Sequence, residues 1–164
     1  MIQRQIGVVA LACLIAAGAA AAAKPALLAP ATPDQLRQVA LAMNSAPPAL
    51  KADVTAAERT LAAYLITLMC VQDDNATKGL VDRFVGSRGT TMFNGWSGKL
   101  SPGKRMKHHD MVGCLNVERI LNWRRIAPNE FAFTVVFTAP DSLESYRWPT
   151  TMHREPDGTW LVAG

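Results

Sequence analysis

An α+β fold, with helices packed on one face of a curved antiparallel sheet, is what this sequence predicts, and three observations predict it. Apolar residues recur at helical spacing up to Gly86. From Cys114 onward they alternate, as residues of half-buried strands do. The alternating runs are also separated by short turns, so they pair as an antiparallel meander rather than through long crossovers.

The leader comes first. Met1–Gln5 carries Arg4, Ile6–Ala20 holds no charged residue, and Ala21-Ala22-Ala23 precedes Lys24. That order of a positive start, an apolar run and small residues predicts a signal peptide spanning residues 1–23, cleaved near Ala23. An uncleaved anchor is the rival reading. A span takes about 20 predominantly apolar residues, and the second half of this run is mostly Ala and Gly, followed by Pro25, Pro30 and Pro33. Cys13 falls in the discarded peptide, since Ala10-Leu11-Ala12 is a poor lipobox.

Residues 24–53 read as a linker plus a short amphipathic helix. Thr32 can cap it, Pro33 suits its first turn and Gln35 completes a capping box. Leu36, Val39, Ala40 and Met43 form its apolar stripe, and Pro47-Pro48 stop it. Residues 54–164 read as one α+β domain. A second capping box, Thr55 to Glu58, predicts a long helix with Ala57, Leu61, Tyr64, Leu65 and Leu68 on one face. Ile66, Met69 and Cys70 lie on its other side, which predicts burial of the helix's latter half. Asp73-Asp74-Asn75 caps a third helix with a Leu80, Val81, Phe84, Val85 stripe, and Gly86 stops it.

Thr90–Phe93 reads as a short strand, and 94–103 as loop. Leu115, Val117 and Arg119 then alternate with Cys114, Asn116 and Glu118, in a strand reaching toward Trp123. Phe131, Phe133, Val135 and Phe137 alternate with Ala132, Thr134, Val136 and Thr138. Tyr146, Trp148, Thr150 and Met152 share one face of a further strand, and Pro156-Asp157-Gly158 turns into a last one at 160–162.

The 164 residues are 49% hydrophobic, 18% charged and carry a net charge of +4. Disorder needs low hydrophobicity and high net charge, so it is excluded beyond the leader. Between Asp82 and Asp110 there is no acidic residue, while Arg83, Arg88, Lys99, Lys104, Arg105 and Lys107 fall there. Such a run is a solvated basic loop or an anion-attracting face. Export makes nucleic acid an unsuitable partner. Two cysteines remain after processing, and an even count in an oxidising compartment predicts a Cys70–Cys114 disulfide, although two separately buried thiols fit the sequence too.

The long helix from Thr55, the helix ending at Phe84-Val85-Gly86, the aromatic strands and the closing Asp157-Gly158-Thr159-Trp160-Leu161-Val162-Ala163 resemble the nuclear-transport-factor-2-like superfamily, a cystatin-like, cone-shaped α+β group. The resemblance spans roughly 54–164, lies in pattern rather than motif, and leaves the helix at 33–44 outside the shared core. It implies a cone whose interior holds a ligand or, in the enzymes of the group, carboxylates, Tyr or His. Here no pair of acids falls on adjacent core-strand positions, which departs from the isomerase pattern.

Two constellations carry chemistry. In an extended strand His108 and Asp110 share a face and His109 points away, so the first two make a candidate catalytic His–carboxylate pair. Zinc needs at least three protein ligands, and His153 alone remains as a further imidazole; no metal and no cofactor is expected. Tyr64, Trp96, Trp123 and Trp148 are candidates to line a pocket, with Arg119 or Arg147 pairing an anionic headgroup. The chain shows no nucleophile elbow, phosphate loop or CxxC. The expectation is therefore a periplasmic or secreted, non-catalytic binding or accessory module of the cell envelope. Its partner would be a small amphipathic or anionic ligand, or an envelope protein. A small cofactor-free isomerase, lyase or dehydratase using His108 and Asp110 is the alternative, and an assembly subunit forming homo-oligomers is the third.

Overall fold

In the computed structural model, residues 30–71, 75–89 and 100–163 are described. Three helices, α1 (Pro33–Met43), α2 (Pro48–Cys70) and α3 (Asn75–Asp82), precede four strands: β1 (Asn116–Ala127), β2 (Glu130–Thr138), β3 (Ser145–Arg154) and β4 (Trp160–Val162). The strands form one antiparallel sheet in the order β1-β2-β3-β4, so the meander and the α+β class both hold. The expected leader at residues 1–23, the expected strand at 90–93 and Trp96 lie outside the described residues.

The Thr32–Gln35 capping box forms as the sequence predicts. The face it buries is rotated, however. Gln35, Val39, Ala42 and Met43 are buried, whereas Leu36 is 43% exposed. Gln35 turns inward toward the residues that lead into β1: its amide donates to Cys114 O at 3.0 Å and to Leu115 O at 3.2 Å. Ser45 Oγ similarly reaches Ile120 O at 3.4 Å. Thus α1 covers the free edge of β1, which would otherwise present an open pairing surface.

Helix α2 starts at Pro48, not at Thr55, with Pro47 as N-cap. Proline's fixed φ is already helical and its missing N–H falls where no partner is needed. Nothing from Ala49 to Val54 breaks the helix, and Leu50 and Val54 extend the Ala57–Leu61 stripe into the core. The boundary at 53/54 falls within α2, and α1 contributes Val39 and Met43 to the hydrophobic core. At its far end α2 reaches the sheet through a Cys70–Cys114 disulfide, with Cα atoms 4.4 Å apart. Leu115 N donates to Met69 O beside it at 3.0 Å.

Helix α3 ends at Asp82, before Phe84 and Val85. Those two instead lie along β4, where Val162 N donates to Phe84 O at 2.7 Å and Val85 makes a parallel bridge with Val162. The core lies between α2 and the Phe131, Phe133, Val135 and Phe137 face of β2. Full burial of each such side chain stabilises by about 1.5–3 kcal/mol. The central position of β2 also buries part of its second face, leaving Ala132 2% and Val136 3% exposed.

Strand β1 departs most from simple alternation. Its register against β2 shifts three times, between Val117 and Arg119, between Leu121 and Arg124, and between Arg125 and Ala127. Each bulge inserts one residue and reverses the faces beyond it. Arg119, expected on the same face as Val117, consequently lies on the opposite one, paired with Val136. At the second bulge Asn122 adopts φ 57°, a left-handed conformation that Asn tolerates better than most residues.

Candidate ligand-binding site

Of the described aromatic candidates, Tyr64 and Trp148 belong to the core and Trp123 packs half-buried against it. The Tyr64 hydroxyl is buried and accepts from Trp148 Nε1 at 3.1 Å. Burial pushes its pKa up to about 12 despite the bond from Trp148, so the phenol stays protonated. Trp123 packs its ring 4.8 Å from that of Phe133 and donates Nε1 to Ser45 Oγ at 3.1 Å. Neither Tyr64 nor Trp123 lines the cavity at β2 and β3. Trp148 does border it.

That cavity, of about 260 Å³, lies against β2 and β3. Strand register explains its lining. Cross-strand partners Arg124–Ala132–Thr151 form one row, and Leu121–Thr134–Pro149 the next. Both rows lie on the sheet face opposite Phe133 and Trp148, whose side chains belong to the core. Ala132, Thr134, Pro149 and Thr151 supply a floor of small side chains, Arg124 stands at one end, and Leu100 and Arg105 bound it from the preceding loop. Among the described residues Arg124 makes no ion pair. Its volume lies just below the usual 300–1,000 Å³ of ligand sites, and its mix of apolar floor and guanidinium edge suits a small amphipathic anion.

A third row, Arg119–Val136–Arg147, continues the same face. The two arginines singled out in the sequence are thus brought together across β2, but not into the cavity. Arg119 is engaged by Glu118, whose carboxylate also accepts from Thr138 Oγ1 at 3.0 Å. Arg147 is exposed, with no ion pair among the described residues. Sequence reasoning missed Arg124. The Ala and Thr alternation along β2 was a visible signal for the floor, but nothing in the sequence marked the bulge that aims Arg124 over it.

His108 and Asp110 do not form a pair. The segment 106–110 is a turn rather than a strand, so side chains do not alternate across a sheet. His108 is exposed, with Nδ1 3.4 Å from Glu144, while Asp110 offers its backbone N–H to Asp141 Oδ2 at 2.8 Å. The histidine expected to point away is the one that is held. His109, with a fully buried side chain, places Nδ1 2.9 Å from Asp141 Oδ1. The Asp110 N–H and the His109 ring hold the Asp141 carboxyl down at about 2. Backbone N–H groups of His108 and Lys107 lower Glu144 likewise. His109 Nε2 is buried without a hydrogen-bond partner, so it has no open side from which to serve a substrate.

His153 lies behind Glu130, which Arg88 contacts at 3.1 Å. Among the described residues no group of three His, Cys, Asp or Glu side chains is placed to hold a metal ion, and no helix is long and apolar enough to cross a membrane. Comparison of the chain with family models, curated proteins and solved structures finds no significant match.

Proposed function

We propose that this chain is an exported, non-catalytic binding module whose ligand is a small amphipathic anion held against β2 and β3. The observation that carries this reading is the placement of Arg124, without an ion-pair partner among the described residues, at the end of a small-residue floor in a cavity of about 260 Å³. An apolar body would cover Ala132, Thr134 and Pro149 while a carboxylate or phosphate met the guanidinium in bidentate fashion. Export is supported by the leader-like residues 1–23 and by the disulfide, a bond typical of oxidising compartments. Helices on one side of a four-stranded meander also support the likeness to the nuclear-transport-factor-2-like cone. Binding is favoured over catalysis because Tyr64 is committed to Trp148 and His109 to Asp141.

The test is titration calorimetry with laurate, below its micelle concentration, and with the neutral 1-dodecanol. Laurate is expected to bind and the alcohol to bind at least ~10-fold more weakly, the loss of one charge-assisted hydrogen bond. Arg124→Gln should remove that preference without lowering the melting temperature. Equal affinity for the two compounds, or a preference unchanged in the variant, would overturn the reading.

A further inference from the structure

We infer that the ligand of this face carries two anionic groups, the first met by Arg124 and the second by Arg147. This rests on the reading of the cavity given above and extends it along the sheet. The three rows Arg124–Ala132–Thr151, Leu121–Thr134–Pro149 and Arg119–Val136–Arg147 are consecutive on one face. The cavity lining takes in residues of the first two rows and stops short of the third.

Distances follow from strand geometry. Arg147 and Thr151 are four residues apart on β3, which is about 13 Å at the usual rise, and β1 and β3 are two strand spacings apart, about 10 Å. The Cα atoms of Arg124 and Arg147 are therefore about 16 Å apart on the diagonal, with both side chains free to lean inward. Between them the accessible surface is that of Thr134 and Pro149, with Ala132 and Val136 almost wholly buried beside them. A cation stands at each end of this stretch, and no acidic side chain falls in the three rows.

Charge bookkeeping singles out Arg147 for the second role. Arg119, in the same row, is occupied by Glu118. The carboxylate of Glu144, on the turn leading into β3, is taken up by the backbone of the 107–108 segment. Neither competes for the Arg147 guanidinium. A monoanion seated on Arg124 would lay its apolar end toward an unpaired cation. A dianion of matching length would pair both, and its second carboxylate, costly to place over an apolar floor alone, would find a partner there.

The experiment compares laurate with dodecanedioate, the same chain bearing a carboxylate at each end, by calorimetry on the full chain and on its Arg124→Gln and Arg147→Gln variants. Dodecanedioate is expected to bind about 10-fold more tightly than laurate to the unaltered protein. In Arg147→Gln laurate affinity should be unchanged, while dodecanedioate should fall below it, because its second carboxylate is then desolvated without a cation. Arg124→Gln should weaken both compounds. Laurate binding with no advantage for the dianion, or an advantage that survives Arg147→Gln, overturns the two-anion inference and leaves the cavity reading standing. Binding of neither compound overturns both.

Discussion

A single hydroxyl illustrates how residue-scale chemistry separates structure from function here. By residue type, Tyr64 and Trp148 are both natural pocket liners, amphipathic and able to hydrogen-bond. In the folded chain they satisfy each other, and the neutral phenol sits at the centre of the helix–sheet packing, edge-on to Phe84 at 6.1 Å. Tyr64→Phe keeps the ring and removes the acceptor that Trp148 Nε1 uses. The variant should lose about 1–2 kcal/mol of stability, measured by urea unfolding, with ligand affinity unchanged. A variant as stable as the parent would mean that the pair contributes nothing to the core. Arg119, Arg124 and Arg147 make the complementary point. As residue types they are alike, yet neighbours alone decide that one is neutralised by Glu118 and two remain available.

Among the elements, the segment 103–111 and the β2–β3 turn are joined by carboxylates. Asp141 accepts the Asp110 N–H and faces His109, and Glu144 accepts the His108 N–H at 2.8 Å. Because Arg105 bounds the cavity and lies on that same segment, this clasp also helps position one wall of the candidate site. Its pH dependence has a definite sign. The Asp141 carboxyl titrates at about 2 when folded, against 3.8 for the free side chain, so its stabilising effect is complete above about pH 4. It is lost as pH falls from there through about 2, where the folded state must also take up the proton. Asp141→Ala should therefore be less stable than the parent at pH 7, with the gap closing as unfolding is repeated toward pH 2. A gap constant from pH 7 to pH 2 would show that the carboxylate's charge is not what holds the segment.

For the whole molecule, the decisive link is the disulfide between the last residue of α2 and the lead-in to β1. It closes the only covalent loop between the helical half and the sheet among the described residues, across a separation of 44 residues. A loop of that length stabilises by about 4 kcal/mol in the chain-entropy picture. A Cys70→Ala/Cys114→Ala double variant should lose an amount of that order in denaturant unfolding. Loss of only a few tenths of a kcal/mol would mean that the Met69–Leu115 hydrogen bond and the packing around it hold the junction unaided. Coverage of β1 by α1 acts at this scale as well, since Gln35 and Ser45 occupy carbonyls of β1 and of the residues leading into it that another chain would otherwise find open.

Local patterns in the sequence determined the α+β class, the Thr32 cap, the four strands and their order, because helical stripes, alternation and tight turns are encoded within a few residues of one another. For Cys70 and Cys114 the sequence left a disulfide and two separate thiols open, and the folded chain joins them. Tertiary structure decided the rest. The inward turn of Gln35 depends on carbonyls about 80 positions away. The first two of the three register shifts in β1 place Arg119 and Arg124 on the cavity side of the sheet, and a one-residue insertion has no signature in a pattern of period two. His109 rather than His108 is buried because the chain turns at 106–110 to meet Asp141, a partner 32 residues on. What a side chain can do was written in its type; which side of the sheet it faces, and whether its charge is already spent on a neighbour, only the packed chain could decide.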